Sequence, residues 1–312
     1  MGSPLRLTMG GTGLSSLRDI ERSWTRVVAS FEASEQAMSR FRDTSELTQL
    51  NRLAGTGIVS RPSPRLRRAL AAADRAHRVT GGRFDPRVLA DLDRLGYRGA
   101  ALPTVSANGD AASRPASDAP LDARVVQADG RRRRAIARPV DLGGIGKGLA
   151  LRWASAELVR GGLADFLLEA GGDLVARGVD PSGEPWLIGI EDPTEATDHL
   201  AVIAVVDGAV ATSSIRVHRW EADGRTVHHL LDPRTGEPAD GGLASVTVAG
   251  PDPAWAEVWS KVLFVAGRNA IAHEARSRGL AAWWVADDGS LEMTADARRR
   301  TVWVAAEDGT AG

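Results

Sequence analysis

Apolar residues recur at helical spacing through the first part of the chain. Between Ser15 and Met38 they fall at Leu17, Ile20, Trp24, Val27, Val28 and Phe31, which predicts an amphipathic helix ending near SRFRDTSELTQLNR at Ser39 to Arg52. In that stretch Thr44 or Ser45 is placed to cap a second, short helix carrying Leu47 and Leu50, with Phe41 at the junction. Leu66 to Val79 reads as a third amphipathic helix. In GGRFDPRVLADLDRLGYRG, at Gly81 to Gly99, Asp85 and Pro86 suit the start of a further helix, Asp as cap and Pro in the first turn. Ala101 to Pro120 is rich in Ala, Ser, Pro and Asp and has little to bury, so a mobile surface loop is expected there.

The second half alternates more than it cycles. Arg124 to Ala137 reads as a hairpin turning at Asp129-Gly130, its arginine run either a solvated edge strand or a ligand-facing one. From Asp141 to Asp173 a glycine-rich opening leads into a helical pattern at Leu149, Trp153, Ala156, Leu158 and Val159, closed by Gly171-Gly172. Short strands follow in WLIGIEDP, LAVIAVVDGAVATSS and TVHHLLDPRTGEPA, and TVAGPDPAWAEVWSKVLFVAG predicts a strand running into a buried helix. LAAWWVADDGSLEMT and TVWVAA are expected to add a final hairpin-like pair. Helices and antiparallel strands without regular βαβ alternation indicate an α+β fold, with mixed, largely antiparallel sheets and packed helices. No internal repeat or composition break divides the chain, so residues 1–312 are expected to form a single domain.

Composition changes this picture in three places. With 43% hydrophobic residues, 312 residues can bury a large core, and a net charge of −1 gives no reason to expect nucleic acid or an anionic membrane as partner. No apolar run is long enough to span a bilayer and the N-terminus shows no signal-like segment, so a cytoplasmic protein is expected. There is no cysteine, so any metal must be held by oxygen or imidazole. Arginine is abundant, yet Lys147 and Lys261 are the only lysines, which marks both as positions where arginine does not serve.

The chemistry gathers around Gly143, Gly144, Lys147 and Gly172. A glycine turn feeding a helix N-terminus presents N–H groups and a dipole to an anion. The pattern is neither a P-loop, since no Ser or Thr follows Lys147, nor a dinucleotide GxGxxG. Locally, Asp85 reads equally as helix cap or ligand contact, Phe41 as a core residue at a helix junction, and DPRTG as a plain β-turn.

Taken in order, SRFRDTSELTQLN, GGRFDPRVL, DLGGIGKG, EAGGD, GAVATSS, HHLLDPRTG and AEVWSKVLFVAG resemble the ApbE family of FAD:protein FMN transferases, over Met9 to Gly267. The resemblance implies FAD as substrate, FMN passed to a Thr or Ser of an acceptor protein with release of AMP, and a mixed α+β fold. It places phosphate at Gly143, Gly144, Lys147 and Gly172, and Mg²⁺ partly on the Gly146 carbonyl. It also implies cofactor contacts at Phe41, Asp85, Asp173, Thr212, Ser213 and His229, with His229, Lys147 and Thr212 as candidate catalytic groups and Asp232 ordering the DPRTG turn. Phe41 stands where relatives often have Tyr.

Relatives usually read ADxxxT where this chain has Ala256-Glu257-Val258-Trp259-Ser260-Lys261. Glu257 then remains as a possible metal ligand, but a protonated lysine is none. Glu257 and Lys261 are spaced for an i,i+4 pair, either exposed or turned inward with Lys261 meeting Glu257 or a flavin phosphate in the cation's place. Arg152 either binds phosphate or is exposed. Beside transfer, two other readings stay open: an FAD or adenine-nucleotide binder without transferase activity, and an FAD pyrophosphatase using water as acceptor.

Overall fold

The structure, a computed structural model, describes residues 4–11, 16–97, 122–126, 132–193, 199–216, 218–222 and 224–305. The chain begins with β1 (Leu5–Met9), then α1 (Leu17–Met38), α2 (Glu46–Arg52) and α3 (Pro64–Val79). Ser45, rather than Thr44, caps α2 by accepting the Thr48 N–H at 3.0 Å, and Ser63 caps α3 ahead of Pro64. Asp85 accepts the Arg87 N–H at 2.8 Å and opens a single 3₁₀ turn, Pro86–Val88, that runs into α4 (Leu89–Arg94).

Next come the hairpin β2 (Asp122–Val126) and β3 (Arg132–Ile136), α5 (Gly146–Arg160), and the strands β4 (Phe166–Ala170), β5 (Asp173–Arg177), β6 (Trp186–Glu191), β7 (His199–Val205) and β8 (Gly208–Ser214). Four short strands follow, β9 (Arg219–Ala222), β10 (Arg225–His228), β11 (Leu231–Asp232) and β12 (Glu237–Pro238). The chain then runs through β13 (Leu243–Gly250), α6 (Pro253–Ala266), α7 (Arg268–Ser277), β14 (Ala281–Ala286), β15 (Leu291–Met293), α8 (Ala295–Arg298) and β16 (Thr301–Val304). The predicted loop at 101–120, the turn at 129–130 and the side chains of the arginine run lie outside the described residues.

A seven-stranded sheet, ordered β1-β4-β5-β8-β13-β14-β15, takes strands from both ends of the chain, and every strand pair among the described residues is antiparallel. This is an α+β fold. One face carries α5 and α6, where Val246, Val248 and Trp284 join Val258, Val262 and Leu263 in a core. The other face packs Leu174, Val210 and Trp283 against a three-stranded sheet, β16-β7-β6, through Trp186, Ile203 and Val205. Fully burying one such side chain contributes about 1.5–3 kcal/mol, so both faces are covered for the same reason.

Two expectations change. LAAWWVADDGSLEMT folds on itself as β14 and β15, while TVWVAA leaves it, and β16 pairs with β7 in the other sheet. Alternation identifies a strand but not its partner. On α5 the buried face runs through Leu149, Ala150, Leu151, Ala154 and Leu158, whereas Val159 is exposed. The helix is packed from two sides, by α1 and α6, so a single apolar stripe does not describe it.

Candidate active site

Helix α6 is buried almost all round, as its apolar sequence demands, and it carries an acid into the interior. Glu257 is 1% exposed. Its Oε2 accepts the Gly148 N–H at 2.8 Å, one of the donors the first turn of α5 leaves unpaired. Its Oε1 has no hydrogen-bond partner among the described residues and lies 3.9 Å from Lys261 Nζ. Burial pushes the Glu257 carboxyl up to about 7, against the pull of Lys261 and Lys147 and with the help of Asp173. Burial likewise lowers the Lys261 ammonium, which Glu257 supports.

Lys261, 21% exposed at its side chain, reaches a cavity of about 130 Å³ that Phe41, Tyr97, Asp141, Gly144 and His229 also line. Its stem explains Gly144. A Cβ there would come within 3.1 Å of Lys261 Cδ and 2.7 Å of the Phe84 ring, so no larger residue fits.

The other lysine is tied down. Lys147, in the first turn of α5, donates to Asp173 Oδ2, and Asp173 Oδ1 accepts the Thr212 N–H at 3.2 Å. Asp173 is 1% exposed, and this bonding raises Lys147 despite the cost of burial. Asp173 is delivered by the β4–β5 hairpin, whose two-residue turn needs φ of 59° and 86° at Gly171 and Gly172. Gly172 itself has open space around it.

A wall of rings closes the cavity. Tyr97 stacks on Trp220 (centroids 5.1 Å apart) and on His229 (5.8 Å), and meets Phe41 edge-on at 6.2 Å. Trp220 is fixed by donating to the Leu95 carbonyl at 2.6 Å, within a small core of Leu92, Leu95, Val227 and Leu231. His229, one residue beyond β10, also packs against His218 at 4.9 Å. Burial, then Lys261, holds His229 well below the usual histidine range, so it is neutral at pH 7, and its Nδ1 has no partner among the described residues. Arg40 lies 4.4 Å over the Phe41 ring and pairs with Asp141 at 2.6 Å. Phe41 itself is 55% exposed at the mouth.

The structure therefore brings Phe41, Asp85, Gly143, Gly144, His229 and Lys261 to one cavity. Several expected roles change. The Gly143 N–H is taken by Asp141, so that donor is not open to phosphate. Both oxygens of Asp85 are clamped by Arg87, itself held by His77 at 2.9 Å. Ser213 turns under the sheet to Ser260 at 2.8 Å, whereas Thr212, its neighbour on β8, bonds Thr247 at 2.9 Å on the opposite face. Strand alternation forbids both hydroxyls from sharing a side, and the Thr212 N–H is held by Asp173. Arg152 pairs with Asp252, the cap of α6, and so joins α5 to α6. Asp232 does order its turn, accepting the Arg234 N–H at 2.9 Å.

Tyr97, Arg40 and Asp141 are the residues that motif reading passed over. Tyr97 is the only tyrosine of the chain, which was the one available signal. A phenol thus stands beside Phe41 after all, supplied from the end of the α4 segment.

The Mg²⁺ implied by the resemblance does not fit these residues. Magnesium requires near-octahedral oxygen donors. Here Glu257 Oε2 serves Gly148 and its Oε1 faces an ammonium. Among the described residues no group of three metal-ligating side chains occurs.

One lysine, Lys261, a neutral half-buried imidazole and stacked rings thus share one cavity. The chain belongs to the ApbE family, whose model matches residues 1–284. It is 28% identical over 272 residues to the FAD:protein FMN transferase of Klebsiella pneumoniae (strain 342), covering 85% of this chain and 77% of that protein. With the enzyme of the same name from Haemophilus influenzae it shares 27% over 291 residues, covering 90% and 83%. The fold is that of the ApbE protein from Thermotoga maritima (TM-score 0.77, 23% identity). It is also that of the flavin transferase ApbE from Vibrio cholerae (TM-score 0.75, 22% identity), and in both comparisons 96% of each chain is covered. Among the described residues no helix is long and apolar enough to cross a membrane.

Proposed function

We propose that the protein is an FAD:protein FMN transferase, moving FMN from FAD to a Thr or Ser hydroxyl of an acceptor protein and releasing AMP. The observation that carries the reading is the half-buried, neutral His229 with a buried, unpartnered Nδ1, set in the same cavity as Lys261 and the rings of Phe41 and Tyr97. The acceptor oxygen forms a bond to the FMN phosphorus. The bond from that phosphorus to the bridging oxygen breaks, and AMP leaves with the bridging oxygen and its electron pair. The hydroxyl proton passes to His229 and on to solvent. A base that is neutral at pH 7 needs no prior deprotonation, and such a group contributes about 10²–10⁴ in rate. Phe41 and Tyr97 suit the flavin ring, while Lys261 suits the pyrophosphate and Lys147 holds Asp173. No step here passes through Mg²⁺.

The test is mass spectrometry of an acceptor protein after incubation with FAD and this protein. An FMN-sized increase with stoichiometric AMP is expected, reduced about a hundredfold or more in rate by His229→Ala. No mass increase in any condition defeats the reading, and free FMN without acceptor would make the protein a pyrophosphatase instead.

A further inference from the structure

Lys261 is unusual among the cations of this site because it is placed but not spent. It projects from a buried helix, its stem lies across Gly144, and its ammonium borders the cavity with His229 and Asp141. The nearest carboxylate oxygen, Glu257 Oε1, is at 3.9 Å, beyond hydrogen-bond range, and Nζ donates no hydrogen bond to any described residue. Glu257 cannot swing closer without releasing the Gly148 N–H that its other oxygen holds. The ammonium therefore keeps three donors and a positive charge, aimed at a cavity whose glycine turn admits a close approach.

We propose that Lys261 does in this protein what a divalent cation would otherwise do: its ammonium binds the pyrophosphate of the dinucleotide, so that FAD is held without Mg²⁺. This rests on the transferase reading for the identity of the dinucleotide, and not for the anion contact itself. One monovalent point charge replaces a doubly charged ion, and it grips oxygens by hydrogen bonds instead of bridging them. The geometry of a metal is given up for a charge that is covalently attached. Glu257, in turn, is a positioning residue: it anchors the α5 turn and draws the lysine toward the cavity floor.

The experiment is FAD titration of the full chain, followed by flavin fluorescence, in chelator and in Mg²⁺. The dissociation constant is expected to agree within about twofold between the two. Lys261→Met should weaken FAD binding more than tenfold, Lys261→Arg less than fivefold, with the thermal melting temperature confirming that each variant is folded. Glu257→Asp combined with Lys261→Thr should bind FAD well only when Mg²⁺ is added. A tenfold gain in wild-type affinity on adding Mg²⁺, or Lys261→Met binding as tightly as wild type, overturns the proposal. These readouts are of binding alone, so tight chelator-resistant FAD binding without AMP release would sink the transferase reading and leave the lysine contact standing.

Discussion

The two lysines invite comparison, because the fold gives each of them a buried carboxylate and uses the pairs differently. Lys147 and Asp173 are in direct hydrogen-bonding contact, and the second Asp173 oxygen takes the Thr212 N–H. This pair is closed: it latches the first turn of α5 to the β4–β5 hairpin and to β8. Lys261 and Glu257 stop 3.9 Å apart, with Glu257 held back by Gly148. That pair is open, and its cation belongs to the cavity. The same two residue types make a latch or a held charge according to whether the carboxylate has a prior engagement.

Breaking the latch should have the largest effect. Asp173→Ala leaves the Lys147 charge without its partner and frees the Thr212 N–H, and is expected to cost about 3 kcal/mol. Urea denaturation would measure it, and a loss below about 1 kcal/mol would show that the latch is no tighter than the open pair.

Glu257→Gln should behave in the opposite sense and depend on pH. Burial raises the Glu257 carboxyl to about 7 in the folded chain, above its usual 4.5. Below about 4.5 both states hold the proton and the group is silent. Between there and about 7 the unfolded chain releases the proton that the folded chain retains, so wild-type stability falls as pH rises. The advantage of Glu257→Gln over wild type should grow by up to about 1.4 kcal/mol per pH unit through that window and then level off. Denaturation curves at pH 5, 6, 7 and 8 would reveal it, and a flat difference would mean that Lys261 closes on Glu257 as Lys147 does on Asp173.

The smallest effect belongs to Phe41, which shares the cavity with Lys261 but carries no charge. Phe41→Ala removes an edge-on contact to Tyr97 and an exposed ring at the mouth, and should weaken FAD binding by about 1 kcal/mol, equally in chelator and Mg²⁺. A loss as large as that of Lys261→Met would show that stacking, and not the ammonium, holds the dinucleotide.

Much of the fold was legible because its signals are local. Ser45 and Asp85 as caps, the glycine pair before Asp173 and the buried character of α6 are properties of a few neighbouring residues. The site was legible where motif and pocket coincide, at Phe41, Asp85, Gly143, Gly144, His229 and Lys261. Thr212 misled because its motif position says nothing about which sheet face its hydroxyl takes, and that is set by the pairing of β8 with β13. Tyr97 escaped because nothing near it in sequence reveals that Trp220 will lie beneath it.

By itself, then, the sequence determined the elements, their caps, the family resemblance and the presence of two lysines in an arginine-rich chain. Only the tertiary structure decided that β16 crosses to the second sheet, that Asp141 and Glu257 occupy N–H groups of the glycine turn, and that Lys147 is bonded while Lys261 is not. The physical reason is range. Caps and turns are satisfied within a few residues, whereas the charge state and direction of a buried side chain depend on partners that the chain brings together only by folding.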